Sequence, residues 1–263
     1  MLEFYLQDKK GPSGEEIQSV RGIYYALYSA IIQHRDSFSI VWEEADENAD
    51  REILRRFLFL VLAEYPELFY VNFDKSEVYF KGSTAEIRFR YVFSKKECQF
   101  LKKKIEKKVF CLILVAKCLY KEKEEKVIRY LYCYFVTHIS YAGEQLKSRD
   151  ERELCRIHSA AGVFLDGRAV CDGIARAFKL VLDKLGIENR VIRRELKKGA
   201  EFSHEWNVIK LYGDELHADI TWEMDVYTLH NRMRFEFFLL TENEMEVKHR
   251  KGKEQECFKK RKK

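Results

Sequence analysis

The chain has 263 residues, of which 46% are hydrophobic and 14% aromatic, and it contains only 2 prolines. This composition supplies a substantial core and argues against a disordered or linker-rich protein. The apolar run at 109–116 is flanked by charges and is far shorter than the roughly 18 residues that a membrane span needs, so we expect no membrane partner. The first residues, Met1 to Phe4, lack the basic and apolar regions of a signal peptide, although a removed signal would leave the same start. We therefore expect a cytoplasmic protein.

The formal net charge of +5 is concentrated at the C-terminus. Residues 248–263 hold nine Lys or Arg against two Glu, which leaves a charge of about −2 for the rest of the chain. Such tails are usually solvated, so 249–263 is predicted to be a disordered basic tail. Nucleic-acid-binding proteins normally spread basic residues over a folded face, which argues against a nucleic-acid partner.

The cysteine pattern argues against metal binding. An odd count of seven, with several on apolar helical faces, is typical of reduced thiols in a reducing compartment. No Cys-x-x-Cys occurs, and the half-site Cys155-x-x-His158 has no matching second half. We predict no metal and no cofactor.

The first third of the chain predicts a mixed helix and strand region. Apolar spacing predicts a helix over 15–34 and another over 50–64, the second ending before Pro66. Short β-rich runs separated by polar turns predict strands at 37–42, 68–73, 77–80 and 85–93. We assign 1–94 as an N-terminal α+β region.

The remainder, 95–248, is predicted to be one catalytic domain. A helix from Cys171 to Leu185 ends at Gly186, a residue suited to the left-handed cap position. A capping box at 241–244 starts the last helix. Further helices are predicted at 95–120, 124–141 and 149–164, and strands at 189–193, 204–211, 215–221 and 235–240.

Cys171 carries the first chemical signal. It lies in the first turn of its predicted helix, where the positive helix end and the unpaired N–H groups stabilise a thiolate. Gly173 has no side chain, so another segment can pack close to the thiol. An ordinary buried cysteine would fit the residue alone equally well.

His204 and Asp219 can be tested by strand register. If the hairpin turns between Tyr212 and Gly213, the numbers of opposed residues sum to about 425, and Trp206 then faces Asp219. His204 and Asp219 become diagonal neighbours on the face that Trp206 and His217 also share. A slip of one residue would put the pair on opposite faces. A surface histidine and a carboxylate beside a turn are the alternative interpretations.

A thiol, an imidazole and a carboxylate in this order can serve as nucleophile, base and orienting group. Asp219 stands between apolar residues, and a buried carboxylate needs a partner, which His204 can supply. The backbone N–H of Cys171 is a candidate oxyanion donor, and Trp206 can wall the site. The residues therefore predict acyl transfer through a thioester.

Four motifs add a family resemblance. They are Gly-Arg-Ala-Val-Cys-Asp-Gly-Ile-Ala at 167–175, Leu-Gly-Ile at 185–187, His-Glu-Trp-Asn-Val at 204–208 and His-Ala-Asp-Ile-Thr-Trp at 217–222. Together they resemble the transglutaminase-like superfamily, in particular small bacterial members with a helical region before the catalytic core. The likeness covers roughly 124–249.

The resemblance implies an α+β fold with a papain-like core, in which the helix bearing the cysteine packs on an antiparallel sheet. It implies transamidation, deamidation or peptide hydrolysis on a protein or peptide substrate, with no catalytic cofactor. The family's catalytic positions fall on Cys171, His204 and Asp219. Residues beside them are assigned to substrate binding or to the site wall: Trp206, Asp172, Gly173 and Trp222.

Two departures bear on substrate choice. Ile174 stands where relatives often have Tyr, and Glu205 stands where many have Ala. No calcium-loop pattern is present, so calcium dependence is not carried over. The segment 193–198 leads into the His204 strand, and its basic residues favour acidic groups beside the target amide, unless it is simply a solvated loop.

A non-enzymatic protein-interaction module that retains the fold is the alternative function. The sequence does not identify the acyl donor, the acceptor or the oligomeric state.

Overall fold

The computed structural model describes residues 20–42, 46–120, 123–195 and 203–254. Spatial contacts divide the chain into two compact units, Met1–Lys96 and Glu97–Lys263. The assignment of 1–94 and 95–248 as separate domains is a statement about independent folding and stays a prediction. Within the described ranges, none of the helices is both long and apolar enough to cross a membrane.

The first unit is built from two helices and a three-stranded antiparallel sheet. Helix α1 spans Val20–Ile32 and α2 spans Glu47–Glu64, whose N-terminus is capped by the Asp46 side chain. The apolar side of α2 is buried through residues such as Leu54, Phe57 and Val61. The sheet has the order β1-β3-β2. Its strands are β1 (Ser37–Val41), β2 (Glu77–Lys81) and β3 (Thr84–Arg88).

The helices of the second unit agree only partly with the sequence prediction. Helix α3 spans Lys95–Tyr120 as predicted, whereas α4 (Glu124–His138) is shorter at its end. Two residues after α4, strand β4 (Ser140–Tyr141) pairs in parallel with β5 (Arg168–Ala169).

The predicted helix over 149–164 is wrong in its second half. Helix α5 covers only Glu151–Ile157, and a separate helical turn of π type follows at Gly162–Asp166. A Cβ at Gly162 would lie 2.5 Å from the Arg156 carbonyl oxygen and 2.6 Å from that of Arg168, so backbone segments converge there. Gly167 closes the turn with φ of 69°.

A long helix packed on an antiparallel sheet forms the centre of this unit. Helix α6 spans Cys171–Leu185 and ends at Gly186, with φ of 76°. The sheet has the order β6-β7-β8. Its strands are β6 (Asn189–Glu195), β7 (Ser203–Leu211) and β8 (Asp214–Ala218). The α+β class is therefore confirmed.

The predicted hairpin register is correct. Val208 pairs with His217 and Asn207 with Ala218, which is the sum of 425. Tyr212 and Gly213 both have positive φ, 55° and 92°, as a type I′ turn requires. The register matters because it fixes which side chains share the face of His204.

Beyond the hairpin, the predicted strands end early. Strand β8 stops at Ala218, and helix α7 (Ile220–His230) begins at once, because Asp219 serves as its N-cap. The predicted strand at 235–240 is reduced to one bridge between His217 and Leu240. Positive φ at Phe235 and Leu239 prevents an extended run there.

The last helix corrects the predicted tail. Helix α8 spans Glu242–Glu254, and Thr241 and Glu244 form the predicted capping box at its start. His249, placed in the disordered tail by the sequence, is buried within this helix. The rest of the basic tail, 255–263, lies outside the described residues.

Candidate active site

Cys171 is the first residue of helix α6. Val170 precedes it in an extended conformation, and its side chain does not cap the helix. The first N–H groups of the helix therefore have no side-chain acceptor from Val170, and Cys171 itself is partly exposed. The helix end is fixed from outside, because the Val170 N–H donates to the Ile157 carbonyl oxygen at 3.0 Å. The backbone at Cys171 is therefore held from outside the helix, and the residue is partly exposed.

Gly173 permits this arrangement. A Cβ at that position would lie 2.3 Å from the Ile157 carbonyl oxygen and 2.9 Å from Cβ of Ala169. Any other residue would push the first turn of α6 away from the backbone that holds it. Gly173 thus positions Cys171, and its assignment to a substrate-facing wall stays a prediction.

His204 reaches the site from strand β7. Its Nε2 lies 2.7 Å from Oδ2 of Asp219, and both side chains are buried. Burial lowers the pKa of His204, but the Asp219 charge, the hydrogen bond to Asp219 and the nearby Cys171 outweigh burial and raise the pKa to about 10. Since Nε2 faces the carboxylate, Nδ1 is the ring nitrogen left for the thiol.

Asp219 is fully buried and held on several sides. Oδ1 accepts the backbone N–H of Trp222 at 3.1 Å, while Oδ2 faces His204. Burial raises the pKa of this carboxyl group, but His204 and His249 outweigh burial and hold the pKa well below its usual range. The carboxylate is therefore charged when it meets the imidazole.

Two indole rings enclose the imidazole of His204. Trp206 stacks on it with ring centroids 5.6 Å apart, and Trp222 lies at 5.8 Å in a tilted arrangement. Both indoles are buried, and Trp206 Nε1 donates to Nδ1 of His217 at 3.0 Å. These residues support the ring from within, and their predicted contact with substrate stays a prediction.

Asp172, the neighbour of Cys171, belongs to a second charged network. Its Oδ2 lies 2.8 Å from Nδ1 of His158, and its Oδ1 accepts the Gly173 N–H at 2.7 Å. Burial raises its pKa, but His158 and Arg176 outweigh burial and lower the pKa. Asp172 is thus committed to internal contacts at the helix start.

Arg176 of α6 and Glu205 of β7 belong to the same charged network as Asp172. Arg176 donates to the His158 carbonyl oxygen at 3.1 Å, and its guanidinium lies 3.6 Å from Oε2 of Glu205. Glu205 is 4% exposed and Oε2 has no hydrogen-bond donor among the described residues. Burial and the Asp172 charge raise the pKa of Glu205 to about 7, although Arg176 lowers it.

A buried carboxylate that the sequence did not single out supports the site from behind. Glu223 of α7 accepts the backbone N–H groups of Phe235 at 2.8 Å and Phe237 at 2.9 Å. The Asp219 N–H in turn donates to the Phe237 carbonyl oxygen at 2.9 Å. Glu223 therefore fixes the turn that carries Phe237 against Trp222.

A second imidazole meets Asp219. Nε2 of His249 lies 2.9 Å from Oδ2, the same oxygen that faces His204. The three candidate ligand atoms of His204, Asp219 and His249 lie within 4.8 Å of one another, a set with the chemistry to hold a divalent cation. Both nitrogen–oxygen distances are those of hydrogen bonds. Met245 and His249 lie four residues apart on one helical face, but this spacing alone does not identify the contact with Asp219.

The structure brings two of the three predicted residues into direct contact, because His204 forms a hydrogen bond with the buried Asp219. Cys171 contributes to the raised pKa of His204, and its role as the nucleophile stays a prediction. The basic segment predicted to rim the cleft is only partly described: Arg194 is paired with Glu242 and Glu246 of α8, and 196–202 lies outside the described residues.

Comparison with known proteins adds little to this geometry. No family model matches the chain, and no curated protein matches it. Among solved structures, the chain is similar to one described as a crystal structure of a TGase, with 13% identity and a TM-score of 0.37. The match covers 70% of this chain and 50% of that one, so the chain spans about half its length. A TM-score this low carries no argument about activity.

Proposed function

We propose that the protein is a cysteine-dependent enzyme that transfers acyl groups from protein or peptide amides through a thioester. The observation that carries the proposal is the 2.7 Å hydrogen bond between His204 and the buried Asp219, beside a partly exposed Cys171 that is near enough to raise the pKa of His204. The motif resemblance to the transglutaminase-like superfamily supports the same chemistry and a papain-like core.

The first half-reaction forms the thioester. The Cys171 sulfur, its proton held by His204, attacks the carbonyl carbon of the amide. The tetrahedral intermediate collapses as the carbon–nitrogen bond breaks, and the His204 N–H donates its proton to the leaving amine. Asp219 keeps its charge throughout and stabilises the imidazolium.

The second half-reaction releases the acyl group. Neutral His204 takes a proton from water or from a primary amine, which attacks the thioester carbonyl. The carbon–sulfur bond breaks, and the thiolate and the imidazolium are restored. Water gives hydrolysis or deamidation, whereas an amine gives transamidation.

The oxyanion needs hydrogen-bond donors. We assign the first to the backbone N–H of Cys171, since the first N–H groups of a helix have no partner within the helix. The Trp206 indole N–H is a poorer candidate, because it donates to His217.

We also propose a reducing, cytoplasmic setting. No disulfide bond joins the six cysteines in the described part of the chain. Such a setting would keep Cys171 reduced, and oxidation of its thiol would remove the nucleophile.

The test is a peptide library incubated with the protein and a labelled primary amine, followed by mass spectrometry. Peptides that gain the amine report transamidation, conversion of Gln to Glu reports deamidation, and new termini report hydrolysis. Cys171→Ala should abolish the product, and Cys111→Ala, which removes an exposed thiol from α3, should leave it unchanged.

The proposed function would be contradicted if no product of transamidation, deamidation or hydrolysis formed. It would also be contradicted if Cys171→Ala gave the same yield as the wild type. The second result would direct attention to the non-enzymatic interaction module instead.

A further inference from the structure

Helix α8 places a second histidine, His249, beside the carboxylate of Asp219. His249 is buried, and its Nε2 approaches Oδ2 of Asp219 to 2.9 Å, against 2.7 Å for Nε2 of His204. The two histidines come from different elements, a strand and the C-terminal helix. One carboxylate oxygen thus receives two imidazoles.

Sharing one oxygen fixes the tautomer of each ring. A carboxylate oxygen only accepts hydrogen bonds, so both Nε2 atoms must carry a proton. With the Trp222 N–H on Oδ1, three donors converge on Asp219. The Asp219 carboxylate cannot rotate without losing one of them, and it presents a fixed oxygen to His204.

The ring of His249 is enclosed by aromatic side chains. Its centroid lies 4.4 Å from Trp222 and 4.6 Å from Trp206, both in edge-on contact, and it stacks near Phe237 at 6.0 Å. Met245, one helical turn earlier, packs in the same aromatic cluster. The three aromatic rings shield the Asp219 carboxylate from water and strengthen its hydrogen bonds.

We propose that His249 is a positioning residue that acts through Asp219 to hold the imidazole of His204 against Cys171. The inference rests on the proposed function. It adds a fourth side chain, from helix α8, to Cys171, His204 and Asp219. A partner that orients a functional imidazole through a hydrogen bond typically contributes about 10- to 100-fold to activity.

The test compares two amides at position 249. His249→Gln places its side-chain N–H near the position of Nε2 and should keep kcat within about threefold. His249→Asn is equally polar but too short to reach Oδ2, and it should lower kcat by about 10- to 100-fold with little change in KM. The iodoacetamide labelling rate of Cys171 should fall in the same order.

Met245→Ala is the structural control. It loosens the same cluster without removing the donor, so it should lower the melting temperature while kcat and the labelling rate, measured well below that temperature, stay near those of the wild type. If His249→Asn behaves as Met245→Ala does, or if Gln and Asn variants fall equally, His249 has only a structural role.

The labelling rate separates the two hypotheses. If the wild type transforms no amide but the labelling rate still follows the order wild type, Gln, Asn, the proposed function fails and the positioning role stands. If the wild type is active and the labelling rate and kcat of His249→Asn are unchanged, the positioning role alone fails.

Discussion

The two faces of strand β7 hold buried ionisable groups in different ways. On one face His204 is enclosed by aromatic rings and shares a carboxylate with His249. On the other, Glu205 faces helix α6, and its Oε2 lies 3.6 Å from Arg176 without a hydrogen bond. The neighbouring residues His204 and Glu205 thus differ in how they are held: His204 by a short hydrogen bond, and Glu205 by a longer ionic contact.

This difference indicates that the contacts of His204, Asp219 and His249 set geometry, whereas the contact of Glu205 with Arg176 balances charge. Hydrogen bonds of 2.7 and 2.9 Å to one oxygen fix ring orientation, as proton transfer requires. A single cation, Arg176, offsets the charges of the partly exposed Asp172 and the buried Glu205 beside the N-terminus of α6, and its contact with Glu205 is the looser one. The following variants test that division, beginning with the largest effect.

Asp219→Asn should cause the largest loss of activity. Asn still caps helix α7, so the fold persists, but the imidazole loses its charged partner. We expect kcat/KM to fall by about 10²- to 10⁴-fold. The pKa of His204, raised to about 10, should fall, so the alkaline limb of the pH–rate profile should move to lower pH.

Asp214→Asn, at the exposed start of β8, is the matched control and should leave the pH–rate profile unchanged. A similar profile for both variants would mean that Asp219 does not tune His204.

Arg176→Met should cause the largest loss of stability. It leaves the buried Glu205 without its cation and the partly exposed Asp172 with His158 alone, and we expect about 3–5 kcal/mol of destabilisation in urea titrations. Arg190→Met, which breaks an exposed pair with Glu215, should cost no more than about 1 kcal/mol. Equal losses of unfolding free energy in the two variants would show that Arg176 stabilises the protein no more than an exposed ion pair does.

Gly173→Ala should disturb both networks through the helix start. The new Cβ would meet the Ile157 carbonyl oxygen, so we expect about 1–3 kcal/mol of destabilisation and slower labelling of Cys171. Gly186→Ala, at the other end of α6, meets no atom within 4 Å and strains only a positive φ. It should cost about 1 kcal/mol and spare the thiol. Unaltered labelling in Gly173→Ala would refute the positioning of the thiol by this close contact.

The sequence predicted the centre of the site well for physical reasons. A type I′ hairpin at Tyr212-Gly213 fixes the register, and the register puts His204 and Asp219 within reach of one another. The end of α6 at Gly186 follows from a local capping signal, a glycine in the left-handed conformation. These features depend on neighbours in the chain.

The features missed by the sequence depend on distant contacts. The charge-rich context of His249 predicted a solvated tail, because nothing local shows that one face of that helix meets Trp206 and Trp222. Similarly, the strand predicted through Thr221 overlooked Asp219 as a helix cap, since apolar residues on both sides fit either structure. The buried carboxylate of Glu223 gave no sequence signal.

Glu205→Gln should have the smallest effect, visible as a pH dependence. The pKa of Glu205 is raised from 4.5 to about 7, so the protonated form is favoured by the fold, and its stabilisation is lost as pH rises through about 7. Relative to the wild type, the Gln variant should therefore gain stability between about pH 5 and pH 8. A constant difference in unfolding free energy across that range would exclude a raised pKa.

The most direct test of the central claim compares two thiols in one molecule. Iodoacetamide labelling of Cys171 and the exposed Cys111 can be followed by peptide mass spectrometry from about pH 5 to pH 9. If His204 and Asp219 activate Cys171, it should react faster than Cys111 at about pH 6, and His204→Gln should remove that advantage. Parallel curves for the two thiols, with Cys111 the faster throughout, would contradict the account.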